Sequence, residues 1–129
     1  MKRFAALLDR LVLTPQRNAK LRLIHDYLRD TPDPDRGYAL AALTGNLDIP
    51  SVKPAMLRGL VTERVDEVLF AYSYDYVGDL AETISLIWPA RGPTAAPPRL
   101  AEVVERLQGA SRSEGPRLVE TWLDQLDAT

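Results

Sequence analysis

The 129-residue chain contains no cysteine. That removes any disulfide frame and any thiolate metal site, and it fits a reducing compartment. Histidine is almost as scarce, with His25 standing alone beside Asp26. A nucleophilic triad or an imidazole-bound metal wants more partners than one histidine supplies, so His25 reads as a helix-surface residue. No stretch approaches the ~18 consecutive apolar residues of a membrane span. Met1-Lys2-Arg3-Phe4-Ala5 opens like a secretion signal, but Asp9 and Arg10 interrupt the apolar run too early for one. Internal repeats, low-complexity tracts and sustained apolar–polar alternation are missing as well. These absences lead us to expect a soluble, cytoplasmic protein with no membrane partner.

Clustered acids are also lacking. Asp30, Asp33 and Asp35 flank a turn, where aspartate serves as a cap and turn former. A divalent-ion loop needs regularly spaced oxygens and a central glycine, and Pro32 and Pro34 spoil that spacing. No metal site and no catalytic constellation is therefore expected.

What the chain does have is apolar content and an uneven charge. Hydrophobic residues make up 46%, enough for a core. The net charge of −2 argues against a generic nucleic-acid binder. Its distribution weakens that objection. Residues 1–25 carry Lys2, Arg3, Arg10, Arg17, Lys20 and Arg22 against Asp9 alone, a balance of +5. Residues 92–129 carry four arginines against six acids, a balance of −2. A local basic face on a nearly neutral body can follow a phosphate backbone, with a shallower salt dependence than a basic domain shows.

Almost every periodic stretch repeats at three and four, which predicts helices. Phe4, Leu7, Leu8, Leu11 and Val12 form the first stripe. Thr14 followed by Pro15 reads as the cap and first position of a second helix carrying Leu21, Ile24, Tyr27 and Leu28. Asp33 and Pro34 start a third, with Tyr38, Leu40, Ala41 and Leu43, which stops at Gly45. Ser51 reads as the cap of a fourth, with Met56, Leu57, Leu60 and Val61. Val65, Val68, Leu69 and Tyr72 make a fifth, although Tyr72 to Tyr76 is also the one strand candidate. Leu80, Ile84, Ile87 and Trp88 make a sixth, ending at Pro89. Residues 90–98 are rich in proline and read as a surface connector. Two further helices follow, with faces Leu100, Val103, Val104, Leu107 and Leu118, Val119, Trp122, Leu123, Leu126. Alone they cannot bury those faces, so they are expected to pack on the rest. The expected fold is all-α, compact, with about seven or eight helices. Its core is residues 1–89, and the two added helices fill 99–129.

The segment Tyr72-Ser73-Tyr74-Asp75-Tyr76-Val77-Gly78-Asp79-Leu80-Ala81-Glu82-Thr83 is the densest in signals. Asp79 reads as an N-cap with Glu82 as its capping-box partner. Gly78 permits a sharp turn and a close backbone approach, and a helix start with free amides is a seat for phosphate. The tyrosines could stack on bases or aim hydroxyls at phosphates, whereas the plain reading of Tyr72 is a helix face shared with Val68 and Leu69. Arg17 and Lys20 lie in the first turns of the second helix with Asn18 between them. Cations there oppose the helix dipole, so an anionic ligand is a reasonable occupant. Lys53 and Arg58 flank another helix start. Arg10 and Arg22 are expected to pair with neighbouring acids, and Trp88 and Trp122 to be core.

The Gly78-Asp79-Leu80-x-Glu82 segment resembles one in the N-terminal DNA-binding domain of ATP-dependent DNA ligases. It is most similar to the bacterial branch found near a repair helicase and nuclease. The resemblance spans roughly residues 3–88. It takes in Phe4 to Leu11, then Thr14 with Asn18-Ala19-Lys20, then Ala39 to Gly45. Lys53 to Leu60 and Leu86-Ile87-Trp88-Pro89 complete it. It implies a domain that clamps nicked duplex DNA through the sugar–phosphate backbone in the minor groove, largely independent of sequence, during repair. It also implies DNA contacts from Arg17, Asn18, Lys20, Lys53, Arg58, Tyr74, Tyr76, Gly78 and Thr83. Adenylyl transfer in that family needs a lysine inside Lys-x-(Asp/Glu)-Gly. Lys2, Lys20 and Lys53 all sit in other contexts. The resemblance therefore implies a non-catalytic N-terminal segment, inactive alone and without a cofactor of its own. Its partners would be the nucleotidyltransferase and OB-fold domains of one parent enzyme, which would use ATP and Mg²⁺ at the nucleoid. A helical protein–protein interaction module is the alternative class.

Overall fold

A computed structural model describes residues 1–89 and 96–126 of the chain. Among the described residues are eight α-helices and no strand, so the all-α expectation holds. The helices are α1 Lys2–Leu13, α2 Arg17–Asp30, α3 Asp35–Leu43, α4 Pro54–Thr62, α5 Glu67–Val77, α6 Leu80–Ile87, α7 Leu100–Gln108 and α8 Glu114–Gln125. None is long and apolar enough to cross a membrane.

Packing divides the described residues into two units. One comprises Met1–Asp48 and Pro97–Arg106; the other belongs to Ile49–Ala96 and Leu107–Thr129. The division falls inside α7, after Arg106. This grouping differs from the sequence-based one, which separated 1–89 from 99–129 by a connector at 90–98. Residues 90–95 of that connector lie outside the described residues, while Pro97 and Pro98 are in irregular backbone.

The first unit is built around Phe4, Leu7, Tyr27, Ala39, Leu100 and Val104. On α1 the buried arc is Phe4, Leu7 and the partly buried Leu11, spaced at three and four. Leu8 and Val12, expected in the same stripe, lie about 100° further round and are exposed. The rings of Phe4 and Tyr27 meet at 5.9 Å and 49°, a tilted aromatic pair of the kind that adds to area burial. Burial raises the Tyr27 phenol above its ordinary pKa. The start of α7 is held by α3. Asp35 Oδ1 accepts a bond from the Ala101 amide at 2.9 Å, capping α7 from a distant part of the chain. The Tyr38 hydroxyl donates to Glu105 at 3.1 Å.

The second unit is built around Leu60, Val61, Phe70, Ile84 and Trp88, with Val119 and Leu123 of α8 packed against them. Trp88 is core as expected, and Trp122 is only partly buried. Arg64, at the turn after α4, ties α8 to this core. It donates to both carboxylate oxygens of Asp124 at 2.6 and 3.1 Å and lies 3.4 Å from Glu120. Its guanidinium sits 4.6 Å from the Trp88 ring centroid. Trp88 Nε1 donates to Asp124 Oδ1 at 2.9 Å, so the indole N–H is satisfied as well. At the other end of α8, a Cβ built on Gly115 would come within 2.8 Å of Ser51 Cβ. Only glycine allows that approach.

Three local expectations are corrected. Thr14 does not cap α2: its hydroxyl donates back to the Arg10 carbonyl at 2.7 Å, closing α1. The N-cap of α2 is Gln16, which makes no side-chain capping bond. Ser51 does not cap α4, because its hydroxyl donates to the Leu107 carbonyl at 2.7 Å; Lys53 is the N-cap there, followed by Pro54. The strand candidate Tyr72–Tyr76 is helical throughout, inside α5. Helical rotation puts Tyr72 and Tyr76 on one face and Tyr74 on the other.

Candidate nucleic-acid interface

Four helix starts, those of α2, α4, α5 and α6, sort the candidate residues. At α5 and α6 an aspartate already occupies the free amides. Asp66 accepts from the Val68 and Leu69 amides at 3.0 and 3.1 Å. Asp79 accepts from the Glu82 amide at 2.8 Å, as the capping signature predicted. Acids follow in both first turns, Glu67 and Glu82. An anion bound there would face a carboxylate in its own seat, so the start of α6 is not open to phosphate.

That finding corrects the role given to Gly78 and Thr83. Gly78 has φ +82° and is the left-handed C-cap of α5, its amide bonded to the Tyr74 carbonyl at 2.7 Å. This is the glycine position of an αL helix stop. A Cβ there would meet nothing within 4 Å, so no backbone approaches it. Thr83 is 0% exposed, and its hydroxyl donates to the Asp79 carbonyl at 2.6 Å. It is a packed residue of α6 with no donor left for a ligand.

At α2 and α4 the starts carry no side-chain capping bond and no acid in the first turn. Arg17 is the first residue of α2, and Arg17, Asn18 and Lys20 are all exposed. Among the described residues Arg17 and Lys20 have no acidic partner, and neither have Arg10 and Arg22, whose expected ion pairs do not form. The acids of α2 sit toward its other end. Arg29 pairs with Asp26 at 3.7 Å and Asp30 at 3.1 Å, and its hydrogen bond holds the Asp30 carboxyl below the usual range. Apart from Arg29, α2 thus has bases at its positive end and acids at its negative end. The cations at its start oppose the helix dipole, an opposition that a bound anion there would relieve.

In the second unit, Lys53 and Arg58 flank the start of α4 as expected. Among the described residues Arg58 makes no ion pair; its guanidinium stacks over Tyr74 at 5.6 Å, and Tyr74 in turn tilts against Phe70 at 6.1 Å. Arg58 and Tyr74 line a cavity of ≈350 Å³ between α4 and α5, together with Phe70, Thr62, Glu67 and Asp75. Two carboxylates on its wall offset the one cation. Tyr76 is exposed on the opposite face of α5. The structure therefore gathers Arg17, Asn18 and Lys20 at one helix start and Arg58 with Tyr74 at one cavity. It leaves Tyr76, Gly78 and Thr83 apart from either.

Asp66 was missed by sequence reasoning, although an aspartate before an apolar helical run is the usual signal. His25 contacts Asp26 at 3.3 Å and is exposed, as a surface residue should be. No group of three His, Cys, Asp or Glu among the described residues could hold a metal ion. No family model, no curated protein and no solved structure matches the chain.

Proposed function

We propose that this chain holds duplex DNA by its sugar–phosphate backbone, with the start of α2 as the principal seat. One observation carries the reading: among the described residues Arg17 and Lys20 stand unpaired, at a helix N-terminus that has neither side-chain cap nor acid. Free amides, the positive end of the dipole and two cations favour an anion together. Phosphate contacts position a protein without reading sequence. Arg10 and Arg22, also unpaired, extend the positive region of residues 1–25. Resemblance to the ligase DNA-binding domain supplies the finer reading, in which the duplex is nicked and the chain serves a parent ATP-dependent DNA ligase. In that reading the chain positions the nick, and adenylyl transfer belongs to nucleotidyltransferase and OB-fold domains elsewhere, with ATP and Mg²⁺.

Arg17→Ala with Lys20→Ala tests the seat in a salt titration on two nicked duplexes of unrelated sequence. Binding of both should weaken by about tenfold or more at low salt. The slope of log K against log salt should become shallower by about 1.8, two phosphates at roughly 0.9 each. Parent-like affinity of the double variant at low salt removes the seat. No binding by the parent itself moves the chain to the protein-interaction class.

A further inference from the structure

The exposed face of α5 is apolar in an acidic setting. Val68, Leu69, Tyr72 and Tyr76 are 62, 56, 72 and 93% exposed. At 100° per residue these four fall on one continuous side of the helix, opposite the buried Phe70. Side chains of this size usually bury most of their surface, and a contiguous exposed patch marks an interaction site more often than scattered apolar residues do. Asp75 lies along one edge of the stripe and Glu67 beyond it. Residues 63–89 contain six acids, Glu63, Asp66, Glu67, Asp75, Asp79 and Glu82, against Arg64 alone, a balance of −5. Arg64 is already taken by Asp124 and Glu120.

Those two properties select the occupant. A nucleic acid would meet a segment with a net charge of −5, which Arg58 at the cavity of Glu67 and Asp75 offsets by only one. A second copy laid stripe to stripe would bring two acidic faces together. A cationic partner with an apolar side satisfies both the aromatic stripe and the acidic segment that carries it, with Asp75 at the stripe's edge. From this charge complementarity we propose that α5 docks a basic amphipathic helix of a partner protein, with Tyr72 and Tyr76 as its central anchors. The surface is independent of the α2 seat, so either can stand without the other.

The test uses the whole 129-residue protein and two fluorescein-labelled 18-residue helical peptides, one of leucine and lysine and one of leucine and glutamate in the same pattern. Anisotropy titrations should show the lysine peptide binding at least about tenfold more tightly. Tyr72→Ser with Tyr76→Ser should weaken that binding by about tenfold or more. Both positions are exposed, so circular dichroism of this variant should match the parent. Val12→Ser with Leu13→Ser, equally exposed apolar residues of α1, should leave it unchanged. Equal affinity for the two peptides overturns the proposal, as does an unchanged tyrosine variant or an equal loss in the α1 variant. A tyrosine variant that loses nicked-duplex affinity but keeps the peptide assigns the stripe to nucleic acid instead. A parent that light scattering finds dimeric, and a tyrosine variant that is monomeric, assigns it to a second copy. Both results overturn the partner-helix reading.

Discussion

Arg64 of the second packing unit and the cations near the start of α2 in the first meet opposite fates. In the first unit, the acids of α2 are matched within a turn of helix by Arg29, and among the described residues Arg10, Arg17, Lys20 and Arg22 are left without carboxylates. In the second, Arg64 is consumed by the protein's own architecture: two carboxylates from α8, an indole face, and a side chain only 27% exposed. A count of arginines would not separate these cases. What separates them is whether a distant helix delivers an acid. A cation paired across long sequence distance stabilises the fold and is lost to ligands, whereas an unpaired one at a helix start is available. The same contrast lets an acidic protein leave cations open in one place and concentrate carboxylates in another.

The sharpest way to break this comparison is Asp124→Ala. It removes both charge-assisted bonds from Arg64 and leaves the buried Trp88 N–H without its acceptor. Bonds to charged groups contribute about 1.5–3 kcal/mol, and an orphaned buried donor adds its desolvation cost. Partial solvent exposure discounts the ion pair, so a loss of about 2–3 kcal/mol is expected. Urea unfolding followed by tryptophan fluorescence reports it directly, because Trp88 and Trp122 both lie in the second unit. Asp124→Asn keeps an acceptor for the indole and should fall between parent and alanine. A loss under about 0.5 kcal/mol would make this an ordinary surface pair and erase the distinction between the units.

Gly115→Ala sharpens the comparison from the packing side. Its new Cβ would meet Ser51 Cβ at 2.8 Å and the Ser51 carbonyl oxygen at 3.1 Å. Ser51 cannot easily retreat, since its hydroxyl is bonded to the Leu107 carbonyl. Overpacking of this kind costs about 1–3 kcal/mol, and alanine's better helix propensity returns up to about 1. A net loss of about 1–2 kcal/mol is expected. Gly59, inside α4 with nothing within 4 Å of an added Cβ, is the matched control. Gly59→Ala should stabilise by about 0.5–1 kcal/mol. If both changes stabilise in the same urea series, the close approach of α8 is not limiting.

Much of the helical layout was legible because its signals are local. Spacing of three and four gives the helices, and Asp79 followed by Glu82 gives a cap that the structure shows. The errors have one physical source, which is long-range competition for polar groups. Thr14 and Ser51 both precede prolines closely and look like caps. One hydroxyl is drawn back to Arg10, the other across to Leu107. The stacking of Arg58 on Tyr74 exists only once α4 lies against α5. Likewise, the sequence shows Arg10 beside Asp9 and Arg22 four residues before Asp26, but not that Asp26 is engaged by His25 and Arg29. For the candidate site, residue type pointed to the start of α2. Whether a carboxylate had already filled a given helix start required the capping bonds at Asp66 and Asp79 to be seen.

The smallest expected effect probes the looser polar bonding of the first unit. Thr31 is 5% exposed, and its Oγ1, though beside the Tyr27 hydroxyl, is the one buried side-chain polar atom among the described residues without a well-formed hydrogen bond. In the second unit, by contrast, the buried Thr83 hydroxyl and Trp88 N–H are both bonded. An unsatisfied buried hydroxyl costs about 1–3 kcal/mol, whereas an apolar isostere in its place carries no such penalty. Thr31 lies just past α2 with φ −108° and ψ 122°, an extended conformation that suits a β-branched residue. Its backbone carbonyl, which accepts from Arg36 Nε at 2.8 Å, is unaffected by side-chain replacement. Thr31→Val should therefore stabilise by up to about 1 kcal/mol, whereas Thr83→Val should destabilise by a similar amount through loss of a made bond. Thermal unfolding followed by circular dichroism at 222 nm, where both units contribute through their helices, compares the two substitutions on one scale. If Thr31→Val destabilises as Thr83→Val does, the Thr31 hydroxyl is satisfied in solution, and the first unit's polar groups are as fully bonded as those of the second.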